Sequence, residues 1–286
     1  FFHRLTLYDI LRNSFLNSNK TMENIIKMPH IKFKPTMSKT LDFNPQELEG
    51  VEVPEESKII ARNYQKSNKL NDGSILLMFE SQVVFGFDYL YQNEKRVVPE
   101  INPVTIFFSN AIMSHRLLIE HKKKLIENSP TVKNFQGKVD TRHFGNFFQL
   151  ATNMIINLQA TIESLANRII PKEMKFIGKD GEHFDPSLFH KINIVLPEIK
   201  GLNFKTQYGK YNNFIRQLVE LRNEIIHLKP AGEINSAYKE VYRRMINFKY
   251  TETVQAVRTF VNFYEENLIE ECECQKEFYY NLNTFE

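Results

Sequence analysis

Cysteine is nearly absent from this sequence. The only two, Cys272 and Cys274, are separated by one residue close to the acidic carboxyl-terminal end. Two such thiols supply neither a disulfide framework nor the four ligands of a structural zinc site, so both are excluded. Scarce cysteine is typical of proteins in a reducing compartment, and we expect this protein to be cytoplasmic.

Tryptophan is missing altogether, and 11 prolines and 10 glycines are few for 286 residues. A shortage of turn-forming residues favours helices over a β fold with many turns. The 24 phenylalanines and 12 tyrosines predict a core rich in aromatic side chains. With 42% hydrophobic and 25% charged residues, the composition is typical of a globular protein with one large domain or a domain and a smaller appendage.

Long apolar runs and a strong excess of one charge are also lacking. No stretch of 18 consecutive apolar residues occurs, so we expect neither a transmembrane helix nor a membrane partner. The net charge of +3 gives no bulk attraction to nucleic acid, and any such binding must use a local patch. His183 and His190 share a polar loop, but no acidic or cysteine cluster completes a ligand set. We therefore expect no metal and no cofactor.

Residues 1–100 predict an extension that is mostly helical. Apolar residues recur at helical spacing in 5–16, 22–28, 55–65 and 75–91, whereas four prolines punctuate 29–54 and predict an extended arm there. The run 75–91 also contains Val83-Val84-Phe85, which has strand propensity. Because its other apolar residues fit the helical period, we predict a helix.

Residues 101–270 predict a helical bundle, followed by an acidic and aromatic tail at 271–286. Apolar stripes of helical period span 103–128, 143–170 and 236–268, the last with an interruption near Asn247, and a shorter helix is predicted near 186–196. The first long helix ends in the basic run 121–124. This run is either a solvated helix end or a phosphate-contact patch. The predicted fold class is all-α.

The most informative stretch is 211–230, YNNFIRQLVELRNEIIHLKP. It predicts one helix, with Asn212 or Asn213 as its amino-terminal cap and the Pro-Ala-Gly at 230–232 as its stop. Arg222 falls in the middle of the apolar arc of this helix, where a charge is costly unless it is paired or faces a cleft. Asn223 and His227 are four residues apart and therefore lie together at the edge of that arc.

The segment from Arg222 through Asn223 to His227 resembles the arginine–polar–three-residue–histidine motif of HEPN domains (higher eukaryotes and prokaryotes nucleotide-binding). The resemblance extends over 100–270, where two long helices, a short one, the motif helix and a closing helix follow the order of a HEPN bundle. It implies an all-α, HEPN-like bundle and a metal-independent endoribonuclease of toxin or phage-defence systems. It also implies a homodimer whose two motifs form one RNA cleft, with an antitoxin or defence-system protein as a further partner.

The chemistry that the resemblance implies suits these residue types. RNA carries its own nucleophile, the 2′-OH, so the protein must supply a base, an acid and a cation. Histidine can accept or donate a proton near neutral pH, which suits His227 to acid–base catalysis. Arg222 would stabilise the charged transition state with its forked donors, and Asn223 would orient the imidazole or hold a phosphate oxygen.

Two alternatives stay open at the level of the sequence. One is a non-catalytic HEPN-like module that binds RNA, a nucleotide or a protein. The other is a helical scaffold in which Arg222 forms a buried structural ion pair. Glu163, beside the stripe of the second long helix, is a candidate carboxylate for that pair, although a surface position is the favoured interpretation.

Geometry and a second motif match sharpen the hypothesis. Five residues separate Arg222 and His227 by about 140° around an ideal helix, and a cleft built from two protomers relieves this mismatch. Arg116 and His121 repeat the same spacing, but Leu117 replaces the polar residue and Arg116 falls on the polar side of its helix. We therefore interpret the Arg116/His121 match as a decoy.

Overall fold

A computed structural model describes residues 30–40, 50–79, 82–134, 141–178, 180–228 and 238–273. The helices predicted at 5–16 and 22–28, the predicted stop at 230–232 and nearly all of the predicted tail lie outside the described residues. Each statement below concerns the described part of the chain.

Two long antiparallel helices form the centre of the bundle. Helix α2 spans Pro103–Glu127 and α3 spans Thr141–Ile169. They follow α1, a 12-residue helix at Glu55–Lys66 in the amino-terminal region. Asn102 caps α2 by accepting a hydrogen bond from the backbone N–H of Val104, and Pro103 occupies the first helical position, where its missing N–H costs nothing. These bounds confirm the two long helices predicted from the apolar stripes.

Shorter helices complete the bundle. They are α4 (Leu188–His190), which continues through a π-helical segment (Lys191–Val195) into α5 (Leu196–Lys200), then α6 (Phe204–Gln207), α7 (Gly209–Ile226), α8 (Lys239–Asn247) and α9 (Tyr250–Tyr264). The predicted interruption near Asn247 is confirmed, because α8 ends there and α9 begins three residues later. None of the helices in the described ranges is long and apolar enough to cross a membrane.

The core lies along one face of α3. Its stripe of fully buried side chains packs against α2, α7 and α9, and includes Phe147, Ala151, Met154, Leu158, Ile162 and Leu165. The sequence stripe predicts the same residues, because apolar positions three and four apart share one face of a helix. Removing this area from water is the main force that holds the bundle together.

A polar seam fixes how α2 and α3 align. The Asn153 side-chain amide donates to the Ser114 hydroxyl at 2.6 Å, and that of Asn157 donates to the Asn153 side-chain oxygen at 2.9 Å. The Asn110 amide lies 3.5 Å from the Asn157 oxygen. The network is partly buried, since Ser114 and Asn157 are buried whereas Asn153 is exposed. It favours one alignment of the helices, because a shift would leave the buried polar groups without partners.

The prediction of an all-α fold is wrong, because the amino-terminal region contains a four-stranded antiparallel sheet. Its strands are β1 (Ser38–Thr40), β2 (Ile75–Phe79), β3 (Gln82–Tyr91) and β4 (Glu94–Pro99). The central strand, β3, pairs with β2 on one edge and with β4 and β1 on the other, since Gly86 opposes both Ile75 and Pro99. The protein is mostly helical but of mixed α and β class.

The helix predicted at 75–91 is therefore two strands, β2 and β3. Gln92 and Asn93 both have positive φ, and they join β3 to β4 as the two-residue turn in which Tyr91 opposes Glu94. Such a turn matches the twist of the paired strands. The β-branched and aromatic residues of β3 suit a pleated surface, and tertiary pairing overrides a helical spacing that this short run also satisfies.

One face of the sheet is open to solvent and aromatic. Directly opposed residues share a face, so Phe87 lies with Val98, Tyr89 with Arg96 and Tyr91 with Glu94. Phe87, Tyr89 and Tyr91 are all exposed. On the opposite face, buried Asp88 accepts hydrogen bonds from the Tyr64 hydroxyl and from the Asn71 backbone N–H, which attaches α1 to the sheet.

An extended segment, residues 30–36, connects the sheet to the bundle. The Lys32 backbone N–H donates to the Glu270 carbonyl at 2.9 Å, and the side chains of Lys32 and Lys34 both contact the Glu270 carboxylate. Ile31 is buried in the bundle core. The sequence predicts the extended conformation of this segment but not its packing.

Candidate functional site

Helix α7 carries the motif, with bounds that differ from the prediction. It begins at Gly209, before Asn212 and Asn213, so neither asparagine is the cap. It ends at Ile226, and His227 is the first residue beyond it. The buried side chains of α7 are Ile215, Leu218, Val219 and Leu221, which pack into the core and fix the orientation of the helix.

Arg222 lies half-buried at the edge of this packed face. Its guanidinium donates a hydrogen bond to the side-chain oxygen of Asn223 at 3.2 Å. Within the described residues no carboxylate forms an ion pair with Arg222, and Glu163 is not its partner. The alternative of a buried structural ion pair therefore finds no support in the contacts of Arg222.

The carboxylates of α7 are held by other arginines. The guanidinium of Arg244, on α8, donates to the Glu224 carboxylate and lies 4.0 Å from that of Glu220. Arg216 lies 4.0 Å from Glu220 on the same helix. These contacts occupy both carboxylates, so the positive charge of Arg222 is left for an anion that the described chain does not supply.

His227 caps the carboxyl-terminal end of α7. Its backbone N–H donates to the Asn223 carbonyl at 3.0 Å, and its side chain is exposed. Asn223 thus contacts both motif partners, Arg222 through its side chain and His227 through its backbone. Within the described residues no hydrogen bond fixes the His227 ring.

The motif lies at one end of the bundle. Tyr208, just before α7, packs against Phe263 near the end of α9, with ring centroids 5.7 Å apart. The two helices are therefore antiparallel, and His227 lies at the end where α9 begins. The Phe148 ring on α3 packs 4.4 Å from the Tyr242 ring on α8, which brings the first turns of α3 to the same end. We call this region the motif end.

Apolar side chains next to the motif are open to solvent. Ile226 is 47% exposed and Leu228 is 45% exposed, on either side of His227 in the chain. Two neighbouring aliphatic side chains beside a charged and an imidazole group resemble the centre of a protein–protein contact more than an isolated exposed residue.

The second motif match is built differently. Arg116 is exposed on the polar side of α2, as its position in the sequence predicts. His121 is half-buried, and its Nδ1 atom is buried with no hydrogen-bond partner. No residue between them takes the bridging position that Asn223 has in α7, since Leu117 stands there.

The histidines of the polar loop have structural surroundings. The His190 ring packs edge-on against Phe184 and Phe176, with centroids 5.6 and 6.4 Å away. The backbone at His183 pairs with that at Ile177. In the ranges that the structure describes, no three His, Cys, Asp or Glu side chains converge as a metal site would require.

The sequence reasoning missed a second polar cluster at the motif end. The His115 imidazole on α2 lies 2.8 Å from the Thr251 hydroxyl on α9. Burial lowers the pKa of His115, and the nearby Glu252 carboxylate opposes that shift. Burial also lowers the pKa of Lys122, the Lys249 ammonium lowers it further, and Glu252 again opposes. The only signal in the sequence was the basic run 121–124.

The site therefore combines an arginine that pairs with no carboxylate of the described ranges, an amide bridge and an exposed imidazole at one end of a helical bundle. Such groups can bind a phosphate and exchange a proton. Comparison of the chain with family models, with curated proteins and with solved structures finds no match.

Proposed function

We propose that this protein is a metal-independent endoribonuclease that cleaves RNA by attack of the ribose 2′-OH on the adjacent phosphate. Arg222 and His227 are its proposed catalytic residues, and Asn223 is the residue that positions them. The observation that carries the proposal is the unneutralised Arg222 beside an exposed histidine, on a helix whose own carboxylates are paired with other arginines. The resemblance of the motif to HEPN ribonucleases points the same way.

Each group has a role that its chemistry allows. The Arg222 guanidinium offers two parallel donors to phosphate oxygens, and it stabilises the charge that grows on them in the transition state. The His227 imidazole takes the 2′-OH proton or donates a proton to the leaving 5′ oxygen. Asn223 holds the guanidinium through its side-chain oxygen. The nucleophile comes from the RNA, so the mechanism needs no cofactor.

The working form that we propose is a homodimer. No hydrogen bond from the described residues fixes the His227 ring, and the exposed Ile226 and Leu228 beside it favour a contact with a second copy. In such a dimer the histidine of one protomer acts with the arginine of the other. The proposed setting is the cytoplasm, where the enzyme acts as a toxin or phage-defence effector held in check by a partner protein.

The products of cleavage test the mechanism. Incubation with single-stranded RNA in EDTA should give products with a 2′,3′-cyclic phosphate and a 5′-OH, because the 2′-OH is the nucleophile. His227→Ala should lower the rate by roughly a hundredfold or more, the usual contribution of general acid–base catalysis. Because the His227 side chain is exposed, this variant should keep the melting temperature of the parent.

The decoy provides a matched control. The double variant Arg116→Ala/His121→Ala also removes an arginine and a histidine from one helix, and it should keep the rate within a few-fold of the parent. Products with a 5′-phosphate, or activity that needs Mg²⁺, would refute the mechanism. Tight RNA binding without any cleavage would favour the second candidate, a non-catalytic binding module, for which the unfixed His227 ring is the supporting observation.

A further inference from the structure

The relative direction of three helices places part of α2 beyond the start of α9. Asn110 contacts Asn157 and Ser114 contacts Asn153, so α2 and α3 are antiparallel. Arg168, at the end of α3, forms an ion pair of 3.1 Å with Glu265 at the end of α9, so α3 and α9 run in the same direction. Helix α2 is therefore antiparallel to α9.

This arrangement brings two lysines together. The contact between His115 and Thr251 fixes the level at which α2 meets the start of α9. Lys122 lies seven residues further along α2, on the same helix face and about 10 Å beyond that contact. Lys249 is the residue directly before α9. Both side chains thus lie beyond the amino-terminal end of α9, at the motif end.

The two lysines differ from the other lysines of the basic run. Lys124 forms an ion pair of 3.0 Å with Glu120, and Lys123 lies 3.8 Å from Glu127. Neither Lys122 nor Lys249 forms an ion pair with a carboxylate of the described residues, although Glu252 is near enough to act on Lys122 electrostatically. Two like charges held close without a paired counter-ion repel each other, and an anion relieves that repulsion.

We propose that Lys122 and Lys249 form an anchor for the phosphodiester backbone of single-stranded RNA that leads to Arg222 and His227. The choice of RNA as the ligand rests on the proposed function. The anchor is a binding site and takes no part in the proton transfers. Within the basic run 121–124, Lys122 would therefore contact phosphate, whereas Lys123 and Lys124 are neutralised by Glu127 and Glu120.

The experiment measures binding separately from cleavage. A fluorescein-labelled, fully 2′-O-methylated oligonucleotide cannot be cut through its 2′ position, and its anisotropy reports binding to the full chain. Lys122→Gln/Lys249→Gln should weaken binding roughly tenfold at 0.1–0.2 M salt and should reduce the salt slope by about 1.4, since each phosphate contact on a single strand contributes about 0.7.

The control is Lys123→Gln/Lys124→Gln, which removes the same net charge from the same region. Because those lysines are already paired with Glu127 and Glu120, this variant should bind within about threefold of the parent. Equal losses in the two double variants, or no loss in the first, would overturn the anchor. Displacement of the oligonucleotide from the parent by millimolar AMP would also overturn it, in favour of a nucleotide site.

The result is independent of the catalytic proposal. If His227→Ala abolishes cleavage while both lysine pairs behave alike, the ribonuclease stands and the anchor is wrong. If the parent binds the oligonucleotide through Lys122 and Lys249 but never cuts RNA, the anchor stands and the ribonuclease proposal is wrong. Unchanged thermal melts of both double variants show that the folded chain is being compared.

Discussion

The helical bundle and the amino-terminal sheet bury their side chains to very different extents. In the bundle, Phe147, Leu158 and Leu165 on α3 are completely buried. In the sheet, by contrast, Phe87 is 48% exposed and Tyr91 is 54% exposed, and α1 buries no residue. The bundle therefore supplies most of the hydrophobic stabilisation, whereas the sheet depends on backbone pairing and a few polar contacts.

This difference separates what holds the fold from what is free to act. The motif end belongs to the bundle, and its polar groups are carried on helices whose opposite faces are fully packed. A site on such a scaffold keeps its geometry when a surface residue is changed. Changes to the sheet should accordingly leave the motif end intact, and changes to the core should not.

The largest difference is expected between a core and a sheet truncation. Leu158→Ala leaves a cavity at the centre of α3 and should lower the free energy of unfolding by about 2–5 kcal/mol. Phe87→Ala removes a half-exposed ring and should cost no more than about 1 kcal/mol. Urea denaturation followed by circular dichroism at 222 nm measures both. Equal losses would show that the sheet is as much a part of the core as α3.

Alanine substitutions of two glycines, Gly86 in the sheet and Gly145 in the bundle, should change the stability by an intermediate amount. A Cβ at Gly86 would lie 2.6 Å from the Val98 carbonyl oxygen and 2.9 Å from a Leu77 methyl, so Gly86→Ala should cost about 1–3 kcal/mol of sheet stability. Hydrogen exchange should rise at Leu77 and Val98 and stay unchanged in α3.

The control for Gly86 lies in the bundle. Gly145 is exposed in the first turns of α3, and a Cβ there meets nothing within 4 Å. Gly145→Ala should therefore raise stability by about 0.5–1 kcal/mol, because alanine favours a helix over glycine. A gain at Gly86, or faster exchange in α3 than in the sheet, would contradict the separation of the two regions.

The smallest effect concerns the join between the two regions. Hydrogen bonds from Lys32 and then Lys34, which burial opposes, lower the pKa of Glu270 from 4.5 to about 2. A carboxylate with a depressed pKa stabilises the fold above its unfolded pKa, and that stabilisation is lost as the pH falls from 4.5 toward 2. Since the Glu270 side chain is 39% exposed, solvent screening limits it to less than about 1 kcal/mol.

Glu270→Gln tests this assignment through the pH dependence of stability. The variant should lose part of the slope in the free energy of unfolding between pH 4.5 and 2, measured by urea titration at several pH values. Glu266→Gln changes an exposed carboxylate four residues earlier in the chain, and this control should keep the parent slope. If Glu270→Gln keeps the parent's slope of unfolding free energy against pH, the Glu270 carboxylate does not stabilise the contact between the two regions.

The bundle was predictable because periodicity and burial agree there. The apolar stripe of α3 and the proline at the start of α2 each fit a helix and no other element, and the structure confirms both helices. The run 75–91 carries two, since its apolar residues fit a helix and its β-branched and aromatic residues fit a strand. Pairing with β4 across the Gln92-Asn93 turn decides in favour of the strand. The spacing of apolar residues within 75–91 carries no information about that pairing.

The helix that carries the candidate site was predictable, and the surroundings of the site were less so. The sequence pattern places Arg222 in the middle of the apolar arc of α7, whereas the structure has it half-buried at the edge of the packed face. The pairing of Arg244 with Glu224 and the meeting of Lys122 with Lys249 depend on contacts between helices distant in sequence. The end of α7 at Ile226 was also missed, because the predicted stop was placed at the proline four residues later.

Mixing two inactive variants tests the central proposal, a cleft that two protomers share, most directly. Arg222→Ala and His227→Ala each lack one group, but the cleft of a mixed dimer has one Arg–His pair with an intact arginine from one chain and an intact histidine from the other. Co-expressed in equal amounts, the two variants should regain about a quarter of the parent RNA cleavage rate, because half of the dimers are mixed and each has one working Arg–His pair of two. A mixture as inactive as either variant alone, in a preparation shown to contain mixed dimers, would contradict the shared cleft.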